Sequence, residues 1–228
     1  LYKQENNDLI YTHDVTHAMA LLLKYELNCD DKYQSFIQKC NMCRQQLQQT
    51  ELSFLSPPPQ GSKCRYFNVE RLTKWGLKLL KYPEDTWVKL VKNADESVIN
   101  QKLIDKLGWL VDYEPELKRW HQMTVLTRTI ETQLKKSGIN QQSLTNFQKN
   151  KWEFVQDELL NFHQHICDYL ITQTANIEHK KTFLATSDVI ESLFGKYKQF
   201  SVRCPFKEMG QMLRAYLFIN YEFNNVSD

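Results

Sequence analysis

Glycine is scarce in this sequence, with six residues among 228. The Asn-Gly and Asp-Gly pairs that mark tight β-hairpins are missing, which argues against an antiparallel all-β protein. Glutamine, lysine and leucine are plentiful instead. Because apolar residues recur at three- and four-residue spacings along most of the chain, we predict a mainly α-helical protein.

Long apolar runs and a charge bias are missing as well. No run approaches the roughly 18 to 20 apolar residues that span a bilayer, and residues 1–7 lack the pattern of a signal peptide. Lys and Arg number 29 against 27 Asp and Glu, so charge alone does not identify a nucleic-acid partner. Six scattered cysteines in a chain of this size suit a reducing compartment. We expect a soluble intracellular protein without a membrane partner.

Two groups of cysteines and histidines come close to known metal-binding spacings. Cys40 and Cys43 have the spacing of half a zinc site, but no second pair follows at the spacing of a zinc ribbon or finger. His13 and His17 are spaced to share a helix face, and another local histidine cluster begins at His163, yet His13 is predicted to precede the helix. Ordinary positions on helix faces are therefore favoured over zinc ligation.

The predicted elements place Asp14 at the start of a helix. Residues 9–12 are a short apolar and β-branched run typical of a strand, and residues 15–27 follow with helical periodicity, so Asp14 lies at the junction. Three consecutive prolines at 57–59 interrupt the helical pattern because proline has no N–H to donate. Helices are predicted over residues 32–55, 69–80, 84–93, 96–107, 115–137, 144–174, 189–200 and 206–221, with a strand or extended approach over 181–186.

Residues 187–198, SDVIESLFGKYK, form the most informative motif. At helical spacing the apolar positions fall on one face, and Asp188, Glu191, Gly195 and Lys198 share the other. A carboxylate, a glycine one turn later and then a lysine make a surface suited to phosphoryl transfer. The alternative is that Asp188 and Glu191 form a capping arrangement. Asp14 has the same alternative, because a residue at a strand end often caps the next helix.

Three collinear stretches carry a family resemblance. Residues 11–24, YTHDVTHAMALLLK, look like the second catalytic segment of bacterial insertion-sequence transposases of the DDE type. Residues 187–198 are similar to the last catalytic segment of that family, an SD-x-IES-x-FG-x-YK pattern. Residues 48–68 resemble the family between these two segments. The chain therefore resembles the C-terminal part of such a transposase.

The resemblance implies a fold and a division of the chain. The fold class would be mainly α, with part of an RNase H-like α/β core interrupted by a large all-helical insertion. Residues 1–29 would hold a core strand and helix, residues 30–178 the insertion and residues 179–228 a late core helix. Asp14 and Glu191 would be two of three catalytic carboxylates and would bind metal.

The implied chemistry is metal-dependent DNA cleavage and strand transfer at transposon ends. Three carboxylates hold two divalent ions in such sites, and Mg²⁺, or Mn²⁺ in its place, suits oxygen ligands that act together with substrate phosphate. The implied partners are double-stranded DNA, as transposon ends and target, and a second copy of the chain in a homodimer. The implied location is the bacterial cytoplasm, in association with the nucleoid.

Basic residues supply candidate DNA contacts. Lys198 is expected near phosphate, and Lys63 and Arg65, beside Tyr66 and Phe67, could contact a DNA backbone and stack on a base. The alternative for the second group is a solvated loop over an aromatic anchor. The five tryptophans are expected mostly to pack the core of the insertion.

The resemblance leaves the enzyme incomplete in this chain. The first aspartate of the family is expected on a strand well before Asp14, and Asp8 is too close to replace it. Both ends are expected to be trimmed relative to the family. The hypotheses are therefore a DNA-cutting and strand-transferring enzyme, an inactive transposase-derived domain that binds DNA or protein, and a helical scaffold without a nucleic-acid role.

Overall fold

The computed structural model describes residues 12–61, 65–81, 91, 95–150, 152 and 157–203. Within these residues the chain is mainly helical and forms no strand, apart from an isolated antiparallel bridge between Ile139 and Phe183. The prediction of a mainly α protein is thus confirmed for this part of the chain. Apart from Thr12, the strand predicted at residues 9–12 lies outside the described residues.

The described residues form eight α-helices and two short 3-10 helices. The 3-10 helices are Ser53–Leu55 and Gly108–Tyr113. The α-helices are α1 (Val15–Asn28), α2 (Asp31–Leu47), α3 (Arg65–Lys81), α4 (Glu96–Leu107), α5 (Glu114–Ser137), α6 (Ser143–Gln148), α7 (Glu158–Thr174) and α8 (Asp188–Arg203).

Two predicted helices are wrong in their extent. The helix predicted over 32–55 ends at Leu47, where the hydroxyl of Thr50 donates to the carbonyl of Leu47 at 2.9 Å and competes with the helical backbone bonds. The helix predicted over 144–174 is two helices, α6 and α7, with a break between them. The helices predicted over 84–93, apart from Val91, and over 206–221 lie outside the described residues.

Aspartate side chains begin three of the helices. Asp14, Asp30 and Asp95 precede α1, α2 and α4, and each accepts a hydrogen bond from a backbone N–H of the first turn at 2.9, 3.1 and 2.8 Å. Such bonds satisfy donors that have no partner inside the helix. The sequence positions of these aspartates therefore explain why the helices start where they do.

Helix α5 is the centre of the hydrophobic core. Leu117, Trp120, Ile130 and Leu134 are fully buried along it, and the helix packs against α1, α3 and α7. Four of the five tryptophans belong to the core or pack against it: Trp75, Trp109, Trp120 and Trp152. The fifth, Trp87, lies outside the described residues. This confirms, for the four described tryptophans, the expectation that they pack in a hydrophobic core.

The chain divides into two compact units, Leu1–Thr186 and Ser187–Asp228. The first unit contains α1 to α7. Helix α1 was predicted to belong to a catalytic core and α5 to the helical insertion, and the two helices share one hydrophobic cluster. The second unit contains α8. In the described ranges every helix is too short or too polar to cross a membrane.

Candidate functional site

Asp14 lies at the start of α1 and caps that helix. Its Oδ1 atom accepts the backbone N–H of His17 at 2.9 Å, and the residue is half-buried. The capping role left open by the sequence is therefore present. A carboxylate offers about four lone-pair positions, so a capping bond is compatible with metal ligation by the same group.

Helix α7 holds the residue that precedes Asp14. The backbone N–H of His13 donates to Oε1 of Gln173 at 2.7 Å, and the carbonyl of His13 accepts the hydroxyl of Tyr169 at 3.0 Å. Burial raises the pKa of Tyr169, and the negative charge of Asp14 raises it further. Neither Tyr169 nor Gln173 was identified from the sequence, because no local pattern links them to a residue about 160 positions away.

The extended approach to the last motif lies beside the start of α1. The hydroxyl of Thr12 donates to the carbonyl of Leu184 at 3.2 Å, and the N–H of Val15 donates to the carbonyl of Ala185 at 2.8 Å. Residues on both sides of Asp14 therefore bond to the segment that leads into residues 187–198. The bond between Thr12 and Leu184 joins parts of the chain that are 172 residues apart.

Glu191 lies in the first turns of α8. The hydroxyl of Ser187 donates to Oε1 of Glu191 at 2.9 Å, and the N–H of Glu191 donates to the carbonyl of Ser187 at the same distance. Asp188, Gly195 and Lys198 are exposed together with Glu191, and Phe194 of the predicted apolar face is 52% exposed as well. The side chain of Glu191 is thus bonded to the Ser187 hydroxyl, a side-chain contact rather than a capping bond to a backbone N–H.

The predicted site residues are divided between the two units. Asp14 belongs to the first unit and Glu191 to the second. Lys198 is exposed on α8, and Lys63 lies outside the described residues. Arg65 is the first residue of α3, and only the backbone of this residue is described. In the described parts of the chain, no three residues of the His, Cys, Asp and Glu types are grouped to hold a metal ion.

The CxxC pair faces the protein interior. Cys40 and Cys43 are buried on α2, and burial raises the pKa of both thiols, that of Cys43 to about 11. Cys40 belongs to the hydrophobic cluster around α5, and Cys43 belongs to a second cluster that includes Leu47 and Leu103. The helix-face interpretation accounts for both residues.

The first turn of α1 is tied to α5 through a buried carboxylate. Thr16, two residues after Asp14, donates its hydroxyl to Oε1 of Glu131 at 3.1 Å. The same carboxylate pairs with Arg128 at 2.9 Å and with Lys135 at 3.1 Å. Because Glu131 is buried, its charge requires these partners.

Comparison with known proteins covered family models, characterised proteins and solved structures. None of the three comparisons yields a match to this chain.

Proposed function

We propose that the chain is part of a DDE-type DNA transposase, in which Asp14 and Glu191 bind a divalent cation for DNA cleavage and strand transfer at transposon ends. The observation that supports this proposal is the pairing of Thr12 and Val15 with Leu184 and Ala185. These bonds join residues 11–24, which resemble one catalytic segment, to the residues just before 187–198, which resemble another. A chance resemblance at two distant motifs gives no reason for these segments to meet.

The two carboxylates are a compatible donor set for magnesium. Mg²⁺ is usually bound by one or two carboxylates together with waters and substrate phosphates. Asp14 and Glu191 supply such oxygens, and each side chain is held at a helix start by a hydrogen bond to one oxygen. When bound, the ion would stabilise charge on the attacking and leaving oxygens of a phosphoryl transfer.

A double-mutant cycle on Mn²⁺ binding tests whether both carboxylates share one ion. Asp14→Asn and Glu191→Gln remove a charge while they keep the shape of the side chain. If both residues ligate the same ion, each variant weakens Mn²⁺ binding, measured by electron paramagnetic resonance of the free ion, and the two losses are strongly non-additive.

Asp95→Asn is the matched control for Asp14→Asn. Asp95 also caps a helix through a backbone N–H, at 2.8 Å from Ser97. It resembles no catalytic motif, so its substitution should leave Mn²⁺ binding unchanged. Additive losses, or no loss in either single variant, would contradict a shared metal site.

A second candidate function is a catalytically inactive, transposase-derived domain that binds DNA. It is favoured by the capping bond of Asp14 and by the bond from the Ser187 hydroxyl to Glu191, which give both motif residues a partner without metal. Under this alternative the chain binds DNA equally well with Mn²⁺ and with a chelator, and neither Asp14→Asn nor Glu191→Gln changes the affinity.

A further inference from the structure

An open cleft of about 660 Å³ lies against α3 and α5 in the first unit. Lys74 and Glu70 of α3 line it from one side and Arg128 of α5 from the other. Ligand sites in proteins typically enclose roughly 300 to 1,000 Å³. The cleft thus has room for a ligand larger than a single ion.

The carboxylate in the cleft is already engaged by both cations. Oε1 of Glu70 lies 2.6 Å from Nζ of Lys74, and its Oε2 lies 3.3 Å from Nε of Arg128. The hydrogen bond from Lys74 lowers the pKa of Glu70, so this carboxylate is charged at neutral pH. With both oxygens used in this way, the cleft is poorly suited to a metal cation.

Positive charge exceeds negative charge in the network around the cleft. Glu131, buried behind the wall, pairs with Arg128 and Lys135. The network therefore contains three cations and two carboxylates: Lys74, Arg128 and Lys135 with Glu70 and Glu131. An anion entering the cleft would meet a net positive charge.

Lys74 can change its partner at small cost. Its side chain is 61% exposed, and it pairs with Glu70 one helical turn away. Exposed pairs of this kind contribute little to stability, so an incoming anion can replace Glu70 as the partner of Lys74. Arg128 is held more firmly, because it bonds to two carboxylates.

Neutral donors in the lining also suit an anion. The side-chain amides of Gln133 and Asn150 each donate one hydrogen to a backbone carbonyl, at 3.0 and 3.1 Å. An amide group carries two hydrogens, so each residue has a further donor. Among the lining residues, Val125 is the one aliphatic side chain and His121 the one aromatic ring. The lining therefore offers little surface on which a base could stack.

We propose that this cleft binds phosphate groups of a DNA strand, with Lys74 and Arg128 as the cations that contact the backbone. The inference rests on the proposed function, which makes DNA the source of the phosphate. A lining with two cations and amide donors suits the sugar-phosphate backbone better than it suits the bases. The cleft would position DNA without reading its sequence.

The cleft is linked to the candidate catalytic residue by hydrogen bonds. Arg128 pairs with Glu131, and Glu131 accepts the hydroxyl of Thr16 in the first turn of α1. Asp14 caps that same turn. A DNA backbone held at Arg128 would thus have a fixed relation to the start of α1.

The test is DNA binding by Lys74→Gln across a series of salt concentrations. Fluorescence anisotropy of a labelled DNA duplex gives the affinity at each concentration. Loss of one phosphate contact should weaken binding and should reduce the slope of log affinity against log salt by about one. Lys118→Gln is the control, because Lys118 also pairs with a glutamate one turn away, at 2.7 Å, but does not line the cleft.

His121 provides a reporter inside the lining. Burial lowers the pKa of its imidazole, the charge of Lys74 lowers it further, and Glu70 opposes that effect. A phosphate bound at Lys74 should raise the pKa of His121, which NMR of the ring protons measures with the duplex and with inorganic phosphate as probes. Arg128→Lys, which keeps the charge, serves as a second variant if folding is verified by circular dichroism.

The possible results separate the two proposals. A weaker, less salt-dependent complex for Lys74→Gln, normal binding for Lys118→Gln and a raised pKa of His121 with DNA support the cleft. Wild-type binding that Lys74→Gln and Arg128→Lys leave unchanged overturns the cleft and leaves the proposed function standing. If the wild-type chain binds no duplex, the cleft proposal fails, and Mn²⁺ binding by Asp14→Asn and Glu191→Gln decides the proposed function separately. A response of His121 to inorganic phosphate alone then shows an anion site that does not serve DNA.

Discussion

Gln173 accepts the backbone N–H of His13 at 2.7 Å, and in this way α7 fixes the residue that precedes Asp14. Gln173 is 8% exposed, and its bond to the exposed residue His13 is partly buried. Gln173→Leu should therefore lower the free energy of unfolding by about 1 kcal/mol, the net contribution of a typical hydrogen bond. Urea denaturation measures this change.

Gln164 is the matched control on the same helix. Its exposed side chain bonds to Asp168 one turn away, at 2.8 Å. Gln164→Leu should change the free energy of unfolding by less than about 0.5 kcal/mol. Equal effects of the two leucine variants would show that the bond to His13 is not a specific support for the Asp14 segment.

The cap at Asp14 can be separated from its charge. Asn caps helices as well as Asp does, whereas Ala cannot, so Asp14→Ala should destabilise the protein by about 1 kcal/mol and Asp14→Asn by a few tenths. Thermal denaturation of both variants measures the difference. A large loss in Asp14→Asn would mean that the charge stabilises the fold, which would complicate its use in the metal-binding test.

The helices near the candidate site were largely predictable from the sequence. Residues 15–27, 96–107 and 115–137 were predicted, and the helices are Val15–Asn28, Glu96–Leu107 and Glu114–Ser137. Local apolar spacing and the aspartates at positions 14 and 95 carry that information. The break between α6 and α7 was missed because apolar residues such as Trp152 continue the helical spacing through it.

The environment of the candidate site was much less predictable. The bonds from Gln173 and Tyr169 to His13 and the pairing of Val15 with Ala185 depend on how distant segments pack. Hydrophobic periodicity reports which face of a helix is buried but not which helix covers it. The ion pair between Glu70 of α3 and Arg128 of α5 was missed for the same reason.

Gly138 is required by the turn that follows α5. Its φ is +68°, and a Cβ atom there would lie 2.4 Å from Cγ2 of Thr182 and 2.8 Å from the carbonyl oxygen of Phe183. Gly138→Ala should therefore destabilise the protein by about 2 to 4 kcal/mol, since both the backbone conformation and the contact are unfavourable. Chemical denaturation measures the loss.

Gly108 provides the comparison for Gly138. It has an ordinary helical φ of −56°, and an added Cβ would meet its nearest neighbour, Cγ2 of Ile104, at 3.8 Å. Gly108→Ala should be neutral or should stabilise the protein by up to about 1 kcal/mol, because alanine restricts the unfolded chain. A similar loss in both variants would contradict the special role of the turn at Gly138.

Stability should fall with decreasing pH because of two partly buried histidines. Burial lowers the pKa of His121 and of His163 from the ordinary value of 6.5. Between the lowered pKa and 6.5 the unfolded chain binds more protons than the folded chain, so the free energy of unfolding decreases as pH falls through this range. Below the lowered pKa the decrease is complete.

His163→Phe tests this account at the histidine that stacks on Phe147, with ring centroids 5.1 Å apart. Phenylalanine keeps an aromatic ring in the stack and cannot take up a proton. The variant should therefore lose less stability than the wild type between about pH 7.5 and pH 5, the range in which histidine titrates. His121→Asn should remove a further part of the pH dependence, and the double variant should show the smallest change. Other titrating groups contribute equally to the wild type, the two single variants and the double variant. If stability depends on pH as steeply in His163→Phe as in the wild type, protonation of His163 does not oppose folding.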